Sequence, residues 1–195
     1  MILLHVQNWD NPDYFKLITG DNFLDSLPRI FLCPFSHSTD THLINNVVPL
    51  FFLMCLLRYI FNKFSYVLFF LIYFLTGFLM WRFIPNQAVI GASGVLYGMV
   101  SFLFFSGLIR NNRELLGYSL LIVFLYGGMV WGMFEPFVKQ NVSWESHLIG
   151  FIVGLILAFL FRKKGPQKKV YDWENEDLDD DNNDVVTVEY EYHQK

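Results

Sequence analysis

Apolar residues in this chain are gathered into long blocks with few charges, and short polar segments separate the blocks. Five blocks run over about residues 42–61, 64–83, 93–109, 115–134 and 146–161. A helix of about twenty apolar residues is long enough to cross the hydrocarbon core of a bilayer. The pattern therefore predicts an all-α, polytopic membrane helix bundle with five full transmembrane helices.

The remaining segments divide the chain into four parts. Residues 1–9 are apolar but too short to span, and we interpret them as the remnant of a first membrane helix. Residues 10–41 mix polar, aromatic and proline residues, which predicts an outer-face loop segment with short amphipathic helices. Residues 42–162 form the membrane core. Residues 163–195 are basic and then acidic, which predicts a disordered cytoplasmic tail because such a segment cannot bury a core.

Composition supports the membrane assignment and explains the net charge. Of the 195 residues, 54% are hydrophobic and 19% aromatic, which excludes a soluble domain with a polar surface. The net charge of -4 misleads, because ten Asp and Glu residues lie between Asp172 and Glu191 and the rest of the chain is basic. Two cysteines, Cys33 and Cys55, form neither a disulfide framework nor a metal-binding spacing. We expect a lipid bilayer as partner and no nucleic acid.

The distribution of Lys and Arg predicts the orientation, because cytoplasmic loops are enriched in these residues. The loops after the first, third and fifth spans carry nine of them: Arg58, Lys63, Arg110, Arg113, Arg162, Lys163, Lys164, Lys168 and Lys169. The opposite side carries four: Lys16, Arg29, Arg82 and Lys139. The C-terminus is therefore expected in the cytoplasm. His42, Ser93 and His147 then all lie at the outer ends of their spans, which points to one shared site.

Ser93 stands where the third span begins, between Gly91 and Gly94. Free N–H groups and the positive end of the helix dipole favour a developing oxyanion at such a position. Tyr97 follows four residues later and therefore lies on the same helix face. An alternative interpretation of the same stretch is a helix-packing face formed by Gly94-x-x-x-Gly98.

Two polar side chains lie near the start of the first span. His42 and Asn46 are spaced i, i+4 and therefore share one helix face. Polar groups at membrane depth are costly without partners, so they suggest a functional site with donors for an oxyanion. The alternative is that Asn46 joins two helices by a hydrogen bond.

The fifth span begins with His147, which is the candidate base for the serine. It also carries Gly150-x-x-x-Gly154, a close-packing face that could pair with Gly94-x-x-x-Gly98 and bring the two helix starts together. Glu145 lies two residues before His147 and points to another face. We therefore predict a Ser–His dyad rather than a triad, with the ring of Tyr97 packed against His147.

Together these motifs resemble those of rhomboid intramembrane serine proteases of the bacterial type, over about residues 23–162. The matching residues are the G-x-S-G motif Gly91-Ala92-Ser93-Gly94 with Tyr97, the H-x-x-x-N motif from His42 to Asn46, the group His147, Gly150 and Gly154, and the upstream His37. The resemblance implies a six-helix bundle, a catalytic pair Ser93–His147, and an oxyanion site of His42, Asn46 and the Ser93 backbone, with Gly91 and Tyr97 as further positioning residues. It implies no cofactor and no metal.

The resemblance also implies substrates and location. A protein of this kind is a multi-pass protein of the bacterial inner membrane and cleaves transmembrane proteins near the outer end of their spans. The fourth span and residues 135–145 are then the expected substrate gate. The chain departs from the family in showing five spans, in having Pro28-Arg29 where Trp-Arg is common, and in having Ser146 where Gly or Ala usually precedes the histidine.

Three other functions stay open from the sequence. The first is a non-catalytic rhomboid-like protein that binds transmembrane clients. The second is a small transporter or channel, which predicts polar residues deep in several spans, whereas here they cluster at one end. The third is a metal or haem site at His37, His42 and His147, which would not require Asn46 or Ser93.

Overall fold

The computed structural model describes residues 16–20, 22–137 and 143–167. The predicted first-helix remnant, residues 1–9, and residues 168–195 of the predicted tail lie outside the described residues. Within these ranges the α-helices are α1 (Phe23–Leu32), α2 (Asp40–Phe61), α3 (Phe64–Phe83), α4 (Ser93–Arg110), α5 (Arg113–Tyr126) and α6 (Trp144–Leu160). Short 3-10 helices cover Cys33–Phe35, Gly127–Met133 and Glu135–Phe137, and two strands are β1 (Leu17–Ile18) and β2 (Ala88–Val89).

The helices confirm the predicted membrane bundle. α2, α3 and α4 are each long and apolar enough to cross a bilayer, and so is the segment Arg113–Met133, which contains α5. α6 is apolar but has 17 residues. The fourth span differs from the prediction in one respect, because its α-helix ends at Tyr126 and continues as the 3-10 helix Gly127–Met133. The pair Gly127 and Gly128 favours this change, since glycine is a poor α-helix former.

α4 is the central helix of the described bundle. Over an apolar stretch of 18 residues in each span, 67% is buried in α4, against 28% in α2 and in α3 and 17% in the span that contains α5. Phe102 and Met99 on α4 are completely buried in the main core, beside Leu57 of α2 and Ile72 of α3. Other helices therefore pack against α4 on several sides, and Ser93 is the first residue of this central helix.

Glycines allow α4 and α6 to pack with their backbones in direct contact. A Cβ atom added at Gly150 would overlap the carbonyl oxygen of Gly94, and one added at Gly154 would overlap that of Gly98. Beside this contact, the Ser101 hydroxyl donates to the Phe151 carbonyl at 2.7 Å. The two small-residue faces identified in the sequence thus meet, and the starts of α4 and α6 lie side by side.

A small second core supports the loop before α4. β1 pairs antiparallel with β2, with Leu17 opposite Val89, and both side chains are buried with Ile30 of α1 and Met80 of α3. α1 is amphipathic, as expected for this segment. The strand pair was not predicted, because two residues per strand show no alternation that a sequence pattern can reveal.

At the other end of the bundle, Arg110 ties α4 to the residues after α6. Its guanidinium is buried and donates to the carbonyl oxygens of Phe161 at 2.8 Å and Lys164 at 2.9 Å. It also lies 5.2 Å from the centre of the Phe61 ring. A cation is stabilised there by the negative end of the α6 dipole and by the ring face.

We expect Arg110→Met to lower the free energy of unfolding by about 2 kcal/mol or more, because it leaves two carbonyl groups without their charged donor. The measurement is unfolding of the purified protein in detergent. Arg113→Met is the matched control, since Arg113 is exposed at the start of α5, and its effect should stay within about 0.5 kcal/mol. Equal stabilities of the two variants would contradict the tie between Arg110 and the residues after α6.

Candidate active site

The backbone before α4 delivers Ser93 to the first position of the helix. Gly91 adopts φ +87°, which side-chain-bearing residues rarely adopt, and its N–H donates to the Cys33 carbonyl at 2.9 Å. Ser93 is partly accessible, whereas its neighbours Ala92 and Gly94 are buried. Burial raises the pKa of the Cys33 thiol to about 12, so this cysteine stays protonated and is no competing nucleophile near the loop.

His147 lies in hydrogen-bonding contact with Ser93. Its Nε2 atom is 2.9 Å from Ser93 Oγ, and its Nδ1 atom is 2.7 Å from the carbonyl oxygen of Gly132. A carbonyl oxygen only accepts, so in the neutral ring Nδ1 carries the proton and donates to Gly132. Nε2 is then the acceptor for the serine hydroxyl, which is the arrangement that proton removal from Ser93 requires.

Tyr97 fixes the plane of the histidine ring. The two rings are stacked, with centroids 4.2 Å apart and an interplanar angle of 8°. The Tyr97 hydroxyl donates to the Met129 carbonyl at 2.7 Å. The predicted packing of Tyr97 against His147 is therefore present, and the 3-10 helix Gly127–Met133 contacts both side chains through its backbone.

The carboxylate of Glu145 is hydrogen-bonded to residues other than His147. It accepts from Gln87 Nε2 at 3.3 Å and from the Ser143 hydroxyl at 3.1 Å. Ser146 is buried, and its hydroxyl donates to the Ser143 carbonyl at 2.8 Å. Both side chains thus stabilise the first turn of α6, and a carbonyl rather than a carboxylate orients His147.

A second group of polar side chains surrounds Gly91. The rings of His37 and His42 lie edge to face with centroids 4.9 Å apart. A Cβ atom at Gly91 would come within 2.8 Å of His42 Nε2, so the glycine lets this ring approach the loop that carries the serine. The Ser38 hydroxyl is 3.4 Å from His42 Nδ1.

Asn46 lies one turn deeper on α2, with 3% of its surface exposed. Its amide nitrogen donates to the His42 carbonyl at 2.8 Å, and its Oδ1 atom is buried without a hydrogen-bond partner. A buried amide oxygen without a donor is costly, so a bound group that carries an N–H or O–H would stabilise this position.

The structure therefore joins Ser93, His147 and Tyr97 directly, and brings His42 beside Gly91. Asn46 is connected to them through the backbone of His42. The orienting carbonyls of Gly132 and Met129 were missed in the sequence, where only the unusual run of glycines after Tyr126 hints at a special backbone. Among residues 16–20, 22–137 and 143–167, no group of three or more His, Cys, Asp or Glu side chains is arranged to hold a metal ion.

Comparison with known proteins shows the family. The model of the rhomboid domain matches residues 25–164. Uncharacterized proteins of Mycobacterium bovis and Mycobacterium tuberculosis are each 31% identical to this chain over 157 residues, and one of Mycobacterium leprae is 30% identical over 155 residues. The matches cover 74% of this chain and 62%, 62% and 59% of those relatives. This chain belongs to the rhomboid family.

Proposed function

We propose that this protein is an intramembrane serine endopeptidase with Ser93 as nucleophile and His147 as general base. The observation that carries the proposal is the 2.9 Å contact between Ser93 Oγ and His147 Nε2, with the other ring nitrogen hydrogen-bonded to a carbonyl. A serine becomes nucleophilic when a base of the correct tautomer accepts its proton. Membership of the rhomboid family supports the same reaction.

The proposed reaction is an acyl transfer. Ser93 Oγ attacks the scissile carbonyl carbon while its proton passes to His147 Nε2. The C–N bond of the tetrahedral intermediate then breaks, and the leaving amine takes the proton from His147. Water hydrolyses the resulting ester with His147 again acting as base. Ser93 is partly accessible, which is consistent with water reaching it.

Asn46, His42 and the backbone N–H groups at the start of α4 are the proposed donors to the oxyanion. The first N–H groups of a helix have no partner within the helix, and they point toward negative charge. Gly91 keeps the loop open for the ring of His42. The Asn46 amide nitrogen carries two N–H donors and one of them donates to the His42 carbonyl, so the second is the proposed donor to the oxyanion.

The proposed substrates are transmembrane proteins, cut near the outer end of their spans. Nine Lys and Arg residues on the side of Arg110 against four on the side of Ser93 support a C-terminus in the cytoplasm of a bacterial inner membrane. The proposed gate is formed by the fourth span and residues 135–145, of which residues 138–142 lie outside the described residues. The proposed activity is that of the rhomboid domain at residues 25–164. This chain spans 59–62% of the length of its mycobacterial relatives.

We expect Asn46→Ala to lower the rate of substrate cleavage by about 10²- to 10³-fold, which is the usual cost of removing one oxyanion donor. Both kcat and kcat/KM should fall, because the oxyanion exists only in the transition state. The comparison is Asn45→Ala, since Asn45 is exposed on α2. A higher KM with an unchanged kcat would assign Asn46 to substrate binding instead.

The test of the proposed function is cleavage of a membrane protein by the full chain reconstituted in proteoliposomes. The substrate carries one transmembrane segment with a small residue beside helix-breaking residues at its outer end. We expect one cut near that end, blocked by prior treatment with a fluorophosphonate. Binding of the substrate without cleavage, together with no reaction with the fluorophosphonate, would favour the non-catalytic client-binding function.

A further inference from the structure

The carbonyl group of Gly132 takes the position next to His147 Nδ1 that an acidic side chain holds in a Ser-His-Asp triad. The 2.7 Å contact with Nδ1 is shorter than the 2.9 Å contact between Nε2 and Ser93 Oγ. Since an imidazole carries one proton when neutral, an acceptor fixed at Nδ1 leaves Nε2 free to accept. The tautomer needed by the proposed base thus depends on a backbone atom.

The backbone of Gly132 is held in place from two sides. Tyr97 donates its hydroxyl to the Met129 carbonyl at 2.7 Å, one turn earlier in the same 3-10 helix. Met133, the next residue, is buried. Tyr97 also stacks on the ring of His147. One tyrosine therefore sets both the plane of the base and the position of the segment that accepts its proton.

Space, rather than backbone conformation, requires glycine at position 132. The φ angle of Gly132 is not positive, so residues with side chains can adopt its backbone conformation. A Cβ atom there would overlap the Tyr97 hydroxyl, lie 3.3 Å from Tyr97 Cζ and lie 3.5 Å from His147 Nδ1. Gly128 in the same 3-10 helix has nothing within 4 Å of a Cβ atom. A side chain at position 132 would therefore contact Tyr97 and His147, whereas one at position 128 would contact neither.

From these contacts we propose that Gly132 is a positioning residue, whose carbonyl holds His147 in the tautomer that accepts the proton of Ser93. The stretch from Met129 to Gly132 is then the orienting member of the site, and Tyr97 locks it against the base. This inference rests on the proposed function for its effect on rate, but the tautomer itself is independent of any activity. A side chain at position 132 displaces the carbonyl and releases Nδ1.

The test compares Gly132→Ala with Gly128→Ala in the full chain. We expect Gly132→Ala to slow reaction with a fluorophosphonate by about 10- to 100-fold, which is part of the roughly 10²- to 10⁴-fold that general base catalysis contributes. Gly128→Ala should react at the wild-type rate. Equal rates of reaction for Gly132→Ala and Gly128→Ala would overturn the proposal.

A spectroscopic measurement keeps the test independent of activity and of variants that fail to fold. In wild-type protein with 15N-labelled histidine at about pH 8, where an ordinary imidazole is neutral, we expect the proton of His147 on Nδ1. The His147 signals are assigned by their loss in His147→Ala. In Gly132→Ala the signals should indicate a mixture of tautomers, whereas Gly128→Ala should leave them unchanged. A proton on Nε2 in the wild type would overturn the proposal.

The two measurements separate this inference from the proposed function. A wild-type protein that fails to react with the fluorophosphonate but shows the proton on Nδ1 would refute the proposed activity and support the role of Gly132. A wild-type protein that reacts, with Gly132→Ala reacting equally fast, would support the activity and refute the role of Gly132.

Discussion

Replacing Ser93 by alanine is expected to abolish covalent reaction with a fluorophosphonate and to lower proteolysis by about 10⁴-fold or more. The reason is that Ser93 Oγ is the atom that forms the ester, and it is the hydroxyl within 2.9 Å of His147 Nε2. His147→Ala should slow both reactions by a similar factor, because the serine then loses its proton acceptor. The double variant should be no slower than either single variant, since the two residues act as one unit.

The matched control is Ser106→Ala. Ser106 is buried on the same helix, more than three turns beyond Ser93, and its hydroxyl has no hydrogen-bond partner. This variant should therefore react like the wild type. The measurement is the rate of fluorescent labelling, alongside cleavage in proteoliposomes. Labelling that persists in Ser93→Ala would show that another residue is the nucleophile, and full activity in His147→Ala would exclude it as the base.

Replacing Gly150 by alanine is expected to cost both stability and activity. The new methyl group would overlap the Gly94 carbonyl, so α4 and α6 must move apart. Such overpacking costs about 1–3 kcal/mol of unfolding free energy. Gly94 follows Ser93 and Gly150 lies one turn beyond His147, so the same movement separates the proposed catalytic pair. A misplacement of about 1 Å can lower a rate by about 10²-fold.

The control for this prediction is Gly117→Ala on α5, where a Cβ atom meets nothing within 4 Å. Alanine is the better helix former, so this variant should be as stable as the wild type or more stable by about 0.5–1 kcal/mol. Unfolding in detergent and the labelling rate are measured for both variants. Unchanged stability of Gly150→Ala would mean that the two helices do not touch at this glycine.

Part of the candidate site could be predicted because it follows from spacing along a helix. Ser93 and Tyr97 share a face of α4 by the i, i+4 rule, and both contact His147 in the structure. The small residues at Gly94 and Gly150 indicated which two helices meet. The carbonyl groups of Gly132 and Met129 could not be predicted, because every residue has a carbonyl group and its direction depends on the local backbone.

The fold was predictable to a similar extent. The ends of α3 agree with the predicted span 64–83, since Lys63 precedes the helix, Arg82 lies in its last turn and Pro85 follows it. Hydropathy does not reveal which helix is central, because α4 is the least hydrophobic of the four long spans and yet the most buried. In a membrane, lipid solvates apolar faces, so close packing of Gly and Ser decides which helix lies in the middle.

By itself, the sequence determined the number and approximate length of the apolar helices, the family, and the side chains that could carry a reaction, because each of these follows from residue type and spacing. Only the tertiary structure decided that Nε2 is the nitrogen of His147 that contacts Ser93 Oγ, that a 3-10 helix follows Tyr126, and that the Gly132 carbonyl contacts Nδ1. These features depend on contacts between residues distant in sequence and on backbone direction, and neither is encoded in a local pattern.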